Sequence, residues 1–165
     1  KQKTAYEIRL SLVGSEMCIR DSAITVSPYM GEESIEPFIS NPSKGAYVLC
    51  RTSNKSSTFI QADIYSKVIS LCEALNNQQN IGLVVGATND DALMKVRNST
   101  DLPFLIPGIG AQGGDLQSVL KINEKNMDTT LINVSRGIIF SGNKDHDSIR
   151  NSAKQYLNQL RGLNG

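Results

Sequence analysis

The chain has 165 residues, 39% of them hydrophobic and 20% charged, with a formal net charge of +1. That length and balance describe one globular domain, and near-neutrality offers no argument for a nucleic-acid or membrane partner. No apolar run approaches the length of a membrane span, and no stretch reads as a secretory signal. The cysteines, Cys18, Cys50 and Cys72, have no C-x-x-C spacing. Buried free thiols in a reducing cytoplasm are therefore expected. The single histidine, His146, sits in the polar run 142–148 and is expected to be a solvated loop residue rather than a ligand or base. No metal site and no cofactor is expected.

Residues 1–22 show neither strand alternation nor a clear helical stripe. Leu12-Val-Gly-Ser-Glu-Met-Cys-Ile-Arg-Asp-Ser22 instead reads as a transposase-type sequencing-library adapter translated in one frame. Lys1-Gln-Lys-Thr-Ala-Tyr-Glu-Ile8 matches the flow-cell end of such a library, in the same order and frame. Residues 1–22 are thus expected to be a non-native segment, set aside from fold reasoning. The natural protein is expected to occupy 23–165, with its own N-terminal part missing.

Ala23-Ile-Thr-Val-Ser-Pro28 predicts a strand stopped by Pro28, and Glu32–Ser40 a short helix with acidic residues in its first turn. Ala46-Tyr-Val-Leu-Cys50 is a continuous apolar run, as in a strand covered on both faces. A long helix is predicted over Thr58–Asn76, with Ile60, Ile64, Val68, Leu71 and Leu75 as its core stripe. Ile81–Val85 is another buried strand. Thr88-Asn-Asp-Asp91 reads as a capping box for a helix that turns Leu93, Met94 and Val96 inward. Pro103–Ile106 and Leu131–Val134 are the last strands, and Asp147–Leu160 closes the chain as a helix carrying Ile149, Ala153 and Leu157. Strand and helix alternate throughout, which predicts an α/β fold with a parallel sheet. About five strand–helix units are present, where a (β/α)8 barrel needs eight.

Two stretches stand out. Leu105-Ile-Pro-Gly-Ile-Gly-Ala-Gln-Gly-Gly-Asp115 is a short strand running into a glycine-rich turn, with Asp115 opening a helix over Leu116–Ile122. Asn133-Val-Ser-Arg-Gly-Ile-Ile139 is expected to be a buried strand that ends by presenting Arg136 beside Gly137. Glycines admit close approach of a ligand to the backbone, helix-start amides suit an anion, and an arginine fork suits phosphate. Barrel enzymes commonly place a phosphate in the loops after their last two strands. A tight turn followed by a surface arginine is the plainer alternative.

From Ala23 onward the chain resembles the C-terminal part of bacterial type-2-like orotidine 5′-phosphate decarboxylases. The resemblance rests on Thr25-Val-Ser-Pro-Tyr-Met-Gly31, Val48-Leu-Cys-Arg-Thr-Ser-Asn54 and Asn80-Ile-Gly-Leu-Val-Val-Gly-Ala87. Pro103-Phe-Leu-Ile-Pro-Gly-Ile-Gly-Ala-Gln-Gly-Gly-Asp115 and Ile132-Asn-Val-Ser-Arg-Gly-Ile138 complete it. It implies a partial TIM (β/α)8 barrel retaining about strands four to eight. It further implies a cytoplasmic, cofactor-independent carboxy-lyase of UMP biosynthesis, a homodimer at full length. Its ligands would be orotidine 5′-phosphate and uridine 5′-phosphate.

By the same resemblance Ser53 would hydrogen-bond the pyrimidine edge, and Pro107 would line the pocket near the reacting ring. Gln112 and Arg136 would bind the phosphate, with Gly137 and the 108–114 turn offering backbone amides. The family's Asp-x-Lys-x-x-Asp constellation has no counterpart after Ala23, so no catalytic residue is assigned and the chain by itself is expected to be inactive. Two other readings stay open: another phosphate-binding barrel enzyme acting on sugar phosphates, and a degenerate, non-enzymatic phosphate- or nucleotide-binding module.

Overall fold

A computed structural model of the chain describes residues 22–162. The adapter-like segment, save Ser22, lies outside the described residues. Five strands follow in order: β1 (Ala23–Val26), β2 (Gly45–Arg51), β3 (Ile81–Val85), β4 (Phe104–Pro107) and β5 (Thr130–Asn133). Each pairs in parallel with the next, so spatial order equals chain order. The helices between them are α1 (Glu36–Ile39), α2 (Thr58–Leu75), α3 (Asp90–Arg97) and α4 (Leu116–Ile122). After β5 come a single turn, α5 (Arg136–Ile139), and the closing helix α6 (His146–Arg161). This is the curled sheet of a partial (β/α)8 barrel.

Register explains which residues form the core. Val26 pairs with Val48, Val48 with Leu83, Leu83 with Phe104, and Ile106 with Ile132. This row packs with Val68, Ile69 and Cys72 of α2, Leu93 and Val96 of α3, and Val119 and Leu120 of α4. Burying a side chain such as Phe104 or Ile106 contributes about 1.5–3 kcal/mol, and both are fully inaccessible. The other row carries Tyr47, Leu49, Leu105 and Pro107, all only half-buried, and Leu131, which is 53% exposed. β2 is accordingly covered on one face, with strict alternation of burial, rather than on both as its apolar run suggested. β5 is likewise a half-covered strand and not a buried one. Nearly filled on that inner face is the spot above Gly82, where a Cβ would come within 2.5 Å of the Tyr47 ring. Burial there raises the Tyr47 phenol above its ordinary value.

Local signals differ from expectation in detail. Glu32–Ser40 breaks into a 3-10 turn, Glu32–Ser34, and the short α1. The cap of α3 is Asn89, whose side chain accepts from the Ala92 amide, and not Thr88. Thr88 instead donates its hydroxyl to the Ser53 carbonyl at 3.1 Å. Met94 points outward, 47% exposed, while Leu93 and Val96 are buried. In α2 the inward side is Val68, Ile69 and Cys72, and Ile60 is exposed. In α6 Leu157 is exposed, while Tyr156 and Leu160 pack against the core. His146 is the exposed first residue of that helix rather than a loop residue.

The N-terminal end of β4 is held by a buried cation. Arg97 donates from Nε to Asn123 Oδ1 at 3.0 Å and from Nη1 to the carbonyls of Thr100 and Leu102, both at 3.2 Å. Its guanidinium lies over the Phe104 ring, a favourable cation–π arrangement in a desolvated setting. Burial pulls the Arg97 pKa down to about 10, with Asp101 opposing the shift.

Candidate functional site

The C-terminal ends of β2, β3 and β4 are stitched together by backbone bonds. The Gly86 amide donates to the Arg51 carbonyl at 2.7 Å, and the Ala87 amide to the Pro107 carbonyl at 2.9 Å. Past β2, the Thr52 amide donates to Gln61 Oε1 at 2.8 Å, which ties the segment 52–54 to α2. Ser53 is thereby set against β4, with its hydroxyl donating to the Pro107 carbonyl at 3.4 Å.

The turn after β4 is a closed ring. Ile109 is buried and anchors it, and the Gly114 amide returns to the Gly108 carbonyl at 3.1 Å. The Gly110 amide donates to the Gly114 carbonyl at 3.0 Å and the Gly113 amide to the Gly110 carbonyl at 2.7 Å. These three amides are spent within the turn. Gly108 has φ +102°, a conformation that glycine adopts without strain. It also has no room for a side chain: a Cβ would stand 2.6 Å from Ser53 Oγ and 3.4 Å from Gln112 Oε1. Ser53, Pro107 and Gln112 thus converge on one glycine. Asp115 caps α4 by accepting from the Ser118 amide at 2.8 Å.

Arg136 and Gly137 lie at the start of α5, not on the strand. Arg136 is exposed, and its guanidinium has no partner among the described residues. Gly137 is tied to α6, where Ser152 Oγ donates to its carbonyl at 2.9 Å. A polar cleft of about 390 Å³ runs between this turn and the glycine ring, bordered by Gly110, Asp115, Gly137, Ser152, Gln155 and Tyr156. Gln112 and Arg136 do not border that cleft. Among the described residues no cluster of His, Cys, Asp or Glu could hold a metal ion.

The sequence profile of the family described as "Orotidine 5'-phosphate decarboxylase / HUMPS family" matches residues 20–148. The chain belongs to this family. An orotidine 5′-phosphate decarboxylase of Halorubrum lacusprofundi is 42% identical over 136 residues, which are 74% of this chain and 49% of that protein. One of Dehalococcoides mccartyi is 45% identical over 130 residues, covering 72% and 48% respectively. The structure of Leishmania donovani UMP synthase superposes with a TM-score of 0.80 at 36% identity, over 99% of this chain and 38% of that one. Leishmania donovani OMP decarboxylase gives a TM-score of 0.78 at 34% identity, covering 98% and 64%. The chain spans about half the length of the curated relatives it matches.

Within this orotidine 5′-phosphate decarboxylase-family half-barrel, sequence reasoning missed several supporting residues. Gln61 positions the segment holding Ser53, Gly86 makes room for it, and Thr88 bonds its carbonyl. Ser152 and Tyr156, four residues apart on α6, reach the Gly137 turn. Only that i, i+4 spacing of a hydroxyl pair on one helix face could have signalled the last two. Among the described residues no helix is long and apolar enough to cross a membrane.

Proposed function

We propose that this chain is the nucleotide-gripping side of an orotidine 5′-phosphate decarboxylase, the cofactor-independent carboxy-lyase that converts orotidine 5′-phosphate to uridine 5′-phosphate and CO2. The observation that carries this reading is the convergence of Ser53 and Gln112 on Gly108, beside the Pro107 carbonyl that Ser53 grips, in a chain of this family whose turn after β5 begins with Arg136 and Gly137. Ser53 holds the pyrimidine edge, and Pro107 lies against the ring. Gln112 and Arg136 bind the phosphate, the arginine through a bidentate, charge-assisted contact. The Gly137 amide adds a further donor.

The reaction breaks the bond from C6 to the carboxylate carbon and delivers a proton to C6. On the family resemblance, the carboxylates and lysine for that step belong to the strands that precede residue 23 in a full barrel. A phosphate grip cannot replace them, because remote binding energy speeds chemistry only where a reacting centre can use it. The complete enzyme is a cytoplasmic homodimer in this reading, and residues 1–22 are translated adapter. A long nucleotide read across the Ser22–Ala23 junction tests that last point, since coding sequence for three further strands should replace the adapter.

The functional test joins residues 23–165 to the N-terminal half of the Halorubrum lacusprofundi relative. The joined protein should decarboxylate orotidine 5′-phosphate, and the 165-residue chain should not. Arg136→Ala should lower kcat/KM for orotidine 5′-phosphate by several kcal/mol of transition-state stabilisation, and Gln112→Ala by about 0.5–1.5 kcal/mol. Neither should matter for orotidine, which lacks the phosphate. An equal loss with both substrates would make Arg136 a structural residue and overturn the phosphate assignment.

A further inference from the structure

Two glycines on separate turns face one hydroxyl. A Cβ built on Gly110 would lie 2.5 Å from Tyr156 Oη, and one on Gly137 would lie 2.7 Å from the same atom. Gly110 belongs to the ring that carries Gln112, and Gly137 to the turn that begins with Arg136. Tyr156 is half-buried, and its ring packs against the core, which fixes where the hydroxyl stands. That hydroxyl makes no hydrogen bond among the described residues. One turn earlier on the same face, Ser152 grips the Gly137 carbonyl. Helix α6 therefore stands against both turns at a single polar atom, the Tyr156 hydroxyl.

We propose that Tyr156 is a positioning residue for the phosphate site, its hydroxyl setting the spacing between the turn of Gln112 and the turn of Arg136. The proposal rests on the phosphate reading given above. The wedge is rigid because a tyrosine has few rotatable bonds and this one is held by core packing. It is also specific, because among the described residues no hydrogen bond joins the two turns directly, and they could separate by tenths of an ångström. A bidentate contact from Arg136 and an amide contact from Gln112 can meet one phosphate only at a fixed separation.

Titration of uridine 5′-phosphate, and separately of uridine, into the full 165-residue chain tests this, with affinity read from amide shifts. The parent chain should prefer uridine 5′-phosphate. Tyr156→Phe, which keeps the ring, should weaken uridine 5′-phosphate about three- to tenfold, the cost of a small misplacement of the two turns, and leave uridine unchanged. Gly137→Ala should lose more, since its new methyl meets the hydroxyl. The double variant Gly137→Ala/Tyr156→Phe should then recover to the level of Tyr156→Phe alone, because the clashing oxygen is gone. Gly110→Ala should not be rescued in this way, as its φ of +71° strains any side chain.

Unchanged binding in Tyr156→Phe, equal weakening of both ligands, or no recovery in the double variant overturns the proposal while leaving the phosphate site standing. A parent chain that binds uridine as well as uridine 5′-phosphate overturns the phosphate reading itself and the proposal with it.

Discussion

Ser53 donates its hydroxyl to the Pro107 carbonyl at 3.4 Å, joining the loop after β2 to the end of β4 across 54 residues of chain. The contact exists because Gly86, just past the strand between them, has no side chain. A Cβ there would collide with Ser53 Oγ and stand 2.7 Å from its amide nitrogen and 2.9 Å from its Cα. The last two are backbone distances, so no rotamer change relieves them. Gly86→Ala should therefore destabilise the chain by about 1–3 kcal/mol, the usual cost of overpacking, and displace Ser53. Ser53→Ala should leave the thermal midpoint within a degree or two, roughly the effect of one long, part-buried hydrogen bond. In the joined barrel both substitutions should reduce kcat/KM. A Gly86→Ala chain as stable as the parent would show that the strand ends yield more readily than these distances allow.

Arg97 offers a prediction about stability alone, since it lies at the far end of β4 from the glycine ring. Arg97→Met keeps an apolar stem but strips donors from Asn123 Oδ1 and from the Thr100 and Leu102 carbonyls. Buried acceptors left unpaired cost about 1–3 kcal/mol each when water cannot reach them. The loss should be about 3 kcal/mol by chemical denaturation, partly offset by the Nη2 that is already unpaired and buried. Ligand affinity, measured under conditions where both variants are folded, should not change.

Acid should act on the two caps. Accepting the Ser118 amide holds the Asp115 carboxyl below its ordinary value near 3.8, and the Ser148 amide does the same for Asp145. A carboxylate whose folded pKa is depressed stabilises the fold above its ordinary value, and that contribution is lost as pH falls through the folded value. Helix content from α4 and α6 should thus decline below the ordinary carboxylate range. Asp115→Asn should retain the cap, because asparagine caps about as well, but remove that helix's acid sensitivity. Circular dichroism from about pH 5 to about pH 2 reads this out. Identical acid profiles for the parent and Asp115→Asn would contradict it.

The thiols of Cys50 and Cys72 are both pushed up to about 12, chiefly by burial. A thiol is nucleophilic only as thiolate, so neither should react with iodoacetamide in the folded chain near pH 8. Both should be alkylated at once in denaturant. Because their folded pKa values are raised, their contribution to stability is complete below the ordinary value near 9 and should fade as pH climbs towards 12. Fast labelling of either thiol in the folded protein, followed by mass spectrometry, would refute the burial on which this rests.

Much of this was legible in the residues because it is decided within a few positions. The alternation of strand and helix, the cap at Asp115, the strand over 81–85 and a helix over 58–76, which the structure ends at Leu75 with Asn76 as its cap, all follow from period, capping and turn chemistry. Where two local signals compete within one residue, as with Thr88 and Asn89, the sequence leaves the choice open. Asn89 prevails in the structure because Thr88 is drawn to the Ser53 carbonyl. Helical period likewise marks the inward faces only to within a neighbour. It admits Met94 beside Val96 and Leu157 beside Tyr156, and the partner helices and strands select between them.

What the sequence by itself determined was a run of parallel strand–helix units carrying a glycine-rich turn and an arginine-bearing turn. Tertiary structure alone decided that Ser53, Pro107 and Gln112 meet at Gly108, and that Tyr156 stands between Gly110 and Gly137. It also decided that Leu131, apolar and on a strand, is left open on the inner face. The physical reason is range. Propensity and capping act over a few residues, whereas the separations at the site are fixed by sheet register and by the packing of α6, which bring together groups far apart in the chain.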